Sequence, residues 1–253
     1  MLWHTGENKM IKGFILALQF LTRIPINIPV DFNEKNIRSS VFFFPVMGAI
    51  IGGMGSIVYL LISPLNIEIA AFLTMITLII LTGGLHIDGL SDTFDGFLSN
   101  RDKDKILEIM KDSRVGTFGV IGIVILLFFK YILVKNIPNL PIALIFSLSN
   151  SRLVASYIIS YKKCARPGGL GELFNKSNPK KLIIISHIIY VFILIFFNKA
   201  YIIPLLATIL TGEIISCIAY KKIGGLTGDV YGTIIEIGEC ISLLTFWGLF
   251  LWT

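Results

Sequence analysis

Residues 83–119, GGLHIDGLSDTFDGFLSNRDKDKILEIMKDSRVGTFG, form a polar island in an otherwise apolar chain and hold seven of its sixteen acidic residues. Asp88, Asp92 and Asp95 stand at i, i+4 and i+7, so a helix here sets all three carboxylates on one face. On a soluble helix such a stripe is ordinarily just solvated. Here it follows 67–85, a run whose one acid is Glu68 at the far end, and Gly83, Gly84, Gly89 and Gly96 punctuate it. Glycines let a backbone or ligand approach closely, and carboxylates at a membrane boundary are costly unless a site uses them. Like charges this close need a cation between them, and oxygen donors suit magnesium or manganese better than zinc. Asp88, Asp92 and Asp95 are therefore the expected metal ligands.

The rest of the chain sets the context. Mean hydropathy is +0.81, with 55% hydrophobic and only 15% charged residues, against roughly 25% charged in a soluble domain. This composition predicts an all-α integral membrane protein with the lipid bilayer as a partner. The 253 residues make one polytopic domain, 10–253, with 1–9 read as an extension before a natural start at Met10. A net charge of +6 raises the question of nucleic acid, but the basic residues are scattered over loops between apolar runs, which topology and anionic lipid explain. Cys164, Cys217 and Cys240 include no C-x-x-C pair, so neither a disulfide framework nor a zinc site follows. A homo-oligomer is compatible with the sequence but nothing in it requires one.

Seven spans are expected, at 41–62, 67–85, 117–134, 142–161, 182–197, 202–220 and 233–252. The segment 14–28 is too short and is interrupted by Arg23 and Pro25, so it reads as an interfacial or re-entrant helix. In the first span Gly48, Gly52, Gly53 and Gly55 form a small-residue packing stripe. Lys and Arg concentrate in the island, in 162–181 and at Lys221 and Lys222, while the opposite turns hold essentially Lys135 and Lys199. By the positive-inside tendency every motif-bearing loop faces the cytoplasm, in a multi-pass protein of the inner (plasma) membrane.

Two further glycine-rich polar stretches share that side. In CARPGGLGELF, 164–174, Arg166 with Gly168 and Gly169 combines a guanidinium with a turn of backbone amides, a pattern that holds phosphate. In GGLTGDVYGTIIEIGE, 224–239, Asp229 is read as a substrate contact, and Glu236, three residues before Glu239 inside a span, joins the expected metal ligands. Arg152 and Glu213 are intramembrane ionisable residues that either pair or meet substrate, and Arg152 is carried as a substrate contact. His86, beside Asp88, is a candidate for proton handling, as are Asp88 and Asp112; His187, in an apolar span, reads as structural.

Asp92-x-x-Asp95-Gly96 matches half of the acidic motif of the CDP-alcohol phosphotransferases, but Leu98-Ser99-Asn100 stands where their Ala-Arg would fall. The fuller resemblance is to the cobalamin synthase (adenosylcobinamide-GDP ribazoletransferase) family. It runs over essentially 10–253 through ALQFLTRIPI, FFFPVMGAIIG, GGLHIDGLSDTFDG, EIMKDSRVGTFG, ARPGGLG and GGLTGDVYG. The resemblance implies a magnesium-dependent attack by a hydroxyl of α-ribazole, or its 5'-phosphate, on adenosylcobinamide-GDP with release of GMP. Lys111, Arg114 and Arg166 would then bind phosphate oxygens, with the base left open among Asp88, Asp112 and His86. Broken glycine-rich helices and intramembrane acids also describe a transporter or cation pathway, the competing class, although no inverted repeat is visible.

Overall fold

The structure, a computed structural model, describes residues 7–252, so most of the expected extension lies outside it. It is built of α1 (Glu7–Leu21), α2 (Glu34–Phe42), α3 (Phe44–Ile62), α4 (Ile67–Thr82), α5 (Leu85–Leu98), α6 (Lys103–Ile109), α7 (Thr117–Asn136), α8 (Leu140–Tyr161), α9 (Leu170–Lys176), α10 (Lys180–Phe197), α11 (Ile202–Ile223) and α12 (Gly228–Trp252). Six helices are long and apolar enough to cross a bilayer: α3, α7, α8, α10, α11 and α12. The expected seventh is a broken element, for α4 and α5 qualify only together and are bent by 88°.

The break is written in Gly83 and Gly84, both left-handed at φ 64° and 69°. A left-handed glycine ends α4, and the next one turns the chain so that the acidic helix leaves sideways instead of extending the span. At the other end Asn66 caps α4 by accepting from the amides of Glu68 and Ile69. The N-terminal helix lies earlier than the expected 14–28: α1 runs Glu7–Leu21 and stops ahead of Arg23 and Pro25, and the Arg23 amide donates to the Leu81 carbonyl at 2.6 Å, tying this strap beneath the bend.

α8 is the central post, with 83% of its hydrophobic window buried, whereas α10 shows lipid a row that includes Ile188, Phe192 and Phe196. The glycine stripe of α3 does the packing its spacing predicts. A Cβ on Gly52 would lie 2.7 Å from the Leu144 carbonyl oxygen of α8, Gly48 abuts Leu148 in the same way, and Gly55 takes Leu78 of α4; Gly53 faces open space. Lys135 at the end of α7 pairs with Glu68 at the start of α4 (2.6 Å), marking the end of the bundle opposite the bend.

Candidate active site

The acidic helix α5 is held against α12 by close backbone contact. Gly89 lies on the Asp229 backbone, Gly232 lies on the His86 backbone, and the Thr233 hydroxyl donates to the Gly89 carbonyl at 3.3 Å. This crossing brings Asp229 to the acidic face: the Asp92 carboxylate lies in the field of Asp229, Asp88 and Asp95. Asp88 is exposed, while Asp92, Asp95 and Asp229 are half-buried.

Asp95 is anchored from the other side. Its carboxylate accepts from the amides of Gly116 (2.7 Å) and Gly119 (2.9 Å), closing the first turn of α7. Side chains at either glycine would collide with that carboxylate, which accounts for the VGTFG sequence at the end of the island.

Two loops from elsewhere in the chain reach the same place. The Ala165 amide donates to the Leu226 carbonyl (2.8 Å) and the Leu226 amide to that of Lys163 (3.0 Å), a short parallel bridge between the second and third polar stretches. Gly225 sits on the Cys164 backbone, so only glycine fits the bridge. The Arg166 guanidinium donates to the Leu107 carbonyl of α6 (2.5 Å), and its charge acts on Asp229. All three motif-bearing stretches thus meet on one end of the bundle.

Some residues singled out from the sequence sit differently. Glu236 does not join the carboxylates of α5: it is buried and receives the Lys130 ammonium at 2.7 Å. The same ammonium reaches Glu239 at 2.6 Å, and Glu239 also pairs with the fully buried Arg152. Two cations and two carboxylates balance one another inside the bundle, where an unpaired charge would be prohibitive. Arg152 is closed to substrate there, and Glu213 pairs instead with Lys162 (2.6 Å). Lys130 escaped the sequence reading, although it is the only charged residue in 117–134, and an ionisable group inside a span signals a partner.

Among the loop residues, Asp112 pairs with Arg114 on the surface at 2.6 Å, and the neighbouring guanidinium holds its carboxyl down to about 2. Such a group is a poor proton acceptor. Lys111 and Arg114 are exposed, Arg114 with its guanidinium engaged by Asp112. The Gly168 amide donates to Glu172 in the first turn of α9 (2.5 Å), so the turn closes onto that helix, with Gly169 as the residue just before it. His187 hydrogen-bonds the Ile183 carbonyl within α10 at 2.8 Å, a local structural contact.

The donors of the acidic face are all carboxylate oxygens, which fits a hard cation, and their mutual repulsion calls for one. Among the described residues, however, no three His, Cys, Asp or Glu side chains converge closely enough to hold an ion. The four aspartates share a field without meeting at one point.

The family model described as Cobalamin-5-phosphate synthase matches residues 13–247. A curated protein of Treponema denticola, "Adenosylcobinamide-GDP ribazoletransferase", is 44% identical over 253 residues, covering 93% of this chain and 97% of its own. Proteins of the same name from Clostridium botulinum and Caldanaerobacter subterraneus are 38% and 41% identical, each covering 93% of this chain and 97% and 98% of their own lengths. No solved structure matches.

Proposed function

Because the chain belongs to the cobalamin-5-phosphate synthase family, we propose that it transfers the cobinamide phosphate of adenosylcobinamide-GDP to a hydroxyl of α-ribazole or its 5'-phosphate, releasing GMP. The observation that carries the reading is the field that Asp88, Asp92 and Asp95 of α5 share with Asp229 of α12, on which the charge of Arg166 also acts. Displacing GMP requires charge to be neutralised on two phosphates and a hydroxyl to be aligned opposite the leaving oxygen. The four aspartates form no ion cage of their own, so a magnesium or manganese ion that supplied the neutralisation would be held by one or two of them together with the substrate phosphates. Arg166, Lys111 and Arg114 bind nonbridging oxygens, with Arg166 best situated because its charge already acts on Asp229.

In the step itself the acceptor oxygen bonds to the phosphorus nearest cobinamide, the bond from that phosphorus to the GMP oxygen breaks, and the acceptor proton passes to a carboxylate. Asp88 and Asp229 support that role better than Asp112, whose carboxyl is held too acidic by Arg114. The Lys and Arg bias of these loops supports a cytoplasmic active face. A transport reading loses ground because the intramembrane charges pair among themselves.

The test is product formation by the purified protein in lipid vesicles. Adenosylcobinamide-GDP and α-ribazole should yield GMP and a corrinoid nucleotide in equal amounts, and EDTA should abolish both. Absence of GMP from wild-type protein supplied with magnesium, or full turnover in EDTA, would overturn the reading in its first or its metal-dependent part respectively.

A further inference from the structure

Beside the carboxylates lies a cavity of ≈210 Å³ that the chemistry above leaves without a task. Its rim is polar, with Asp88 and Asp229, and its walls are not: Phe20, Phe44, Ala155, Ile159 and Ile235 line it. Phe20 and Phe44 stack at 6.1 Å between centroids and 24° between planes, so one wall is a fixed aromatic surface. His86 is also among the lining residues; it is 5% exposed, its ring lies in the field of Arg152, Glu236 and Lys130, and its Nε2 has no hydrogen-bond partner among the described residues. A buried ring nitrogen with nothing to bond is an uncommon feature in a folded protein and points to a partner arriving from outside.

We propose that this cavity takes the planar heteroaromatic base of the acceptor riboside. The proposal rests on the ribazoletransferase reading and adds the place and chemistry of acceptor recognition. An apolar cavity of about 150 Å³ is enough for benzene, so the larger volume here admits a fused two-ring base. Aromatic walls suit a flat uncharged ring, and His86 Nε2 supplies the one directional contact, a hydrogen bond with a ring nitrogen. With the base inserted, the ribose attached to it emerges at the rim, and its hydroxyls come against Asp88 and Asp229. Base recognition and alignment of the nucleophile are then one act of binding. Ala155 and Ile159 of α8, which carry no chemistry, become the residues that set which base is accepted.

Two substitutions test this in vesicle-embedded enzyme, with the KM for each substrate measured separately. Ala155→Leu fills the cavity and should raise the KM for α-ribazole at least about tenfold while that for adenosylcobinamide-GDP stays within about twofold. Ile159→Ala only removes atoms, so it keeps the test alive if the larger side chain prevents folding. It should shift relative kcat/KM toward a riboside whose two-ring base carries an added alkyl substituent by about threefold or more. An unchanged KM for α-ribazole in Ala155→Leu, with base preference unchanged in Ile159→Ala, would overturn the proposal. A response to lipid acyl-chain length in place of an acceptor effect would overturn it too, assigning the cavity to lipid. Failure of wild-type protein to release GMP would instead remove the ribazoletransferase reading, so the two failures are distinguishable.

Discussion

Gly89 of α5 and Asp229 of α12 meet backbone to backbone: a Cβ on Gly89 would lie 2.9 Å from the Asp229 Cα. This contact turns a row of three acids on one helix into a four-acid site shared by two, and the relationship can be perturbed from the packing side alone. Gly89→Ala must push the helices apart, because backbone cannot swing away as a side chain can. A cost of about 1–3 kcal/mol and an activity loss of at least about tenfold are expected. Gly53→Ala, whose Cβ would meet nothing within 4 Å, should leave both melting temperature and GMP release unchanged and serves as the control.

The aspartates of α5 should separate by role. Asp95 accepts two amides from the start of α7, so Asp95→Asn loses stability, roughly 0.5–2 kcal/mol as for a lost helix cap, along with activity. Asp92 lies among like charges, so Asp92→Asn removes repulsion and should keep or raise the melting temperature while activity falls at least about a hundredfold. Thermal melting and turnover of the two purified variants check the contrast.

Lys130 holds two buried carboxylates at once. Replacing it with Met leaves them without their shared cation and should destabilise the bundle by about 3–5 kcal/mol. Adding Glu236→Gln restores charge balance and should recover a substantial part of that loss, read from melting in detergent. Equal melting of Lys130→Met and wild type would show that the quartet does not hold the core together.

Arg166→Lys keeps the charge but removes the planar fork that reaches Leu107 and the acidic site. Use of adenosylcobinamide-GDP should weaken by about 1–3 kcal/mol, with the apparent constant for α-ribazole nearly unmoved. Unchanged kinetics for both would pass phosphate binding to Lys111 and Arg114.

What the sequence made legible was whatever lies along one element: the acidic face of α5, the glycine stripe of α3, the apolar spans. Those follow from helical periodicity and need no knowledge of neighbours. What it left unread were pairings between helices. Read from sequence, Asp229 stands apart from the aspartates of α5, before a last span expected at 233, whereas α12 already starts at Gly228 and carries Asp229 in its first turn. Glu236 is misplaced beside the aspartates of α5 because its cation lies 106 residues away on α7. Periodicity places a charge on a face but does not say which helix covers that face. The 88° bend shows the same limit, since Gly83 and Gly84 mark a break in the chain without giving the direction taken after it.

The central claim is that Asp229 belongs with the aspartates of α5 in one phosphoryl-transfer site. It is tested most directly by GMP release from adenosylcobinamide-GDP and α-ribazole with Asp229→Asn in vesicles, beside wild type. The account predicts a fall of at least about a hundredfold with the melting temperature preserved. Turnover within about twofold of wild type would contradict it, because a metal or nucleophile clamp that works without Asp229 is not the one built by the crossing of α5 and α12.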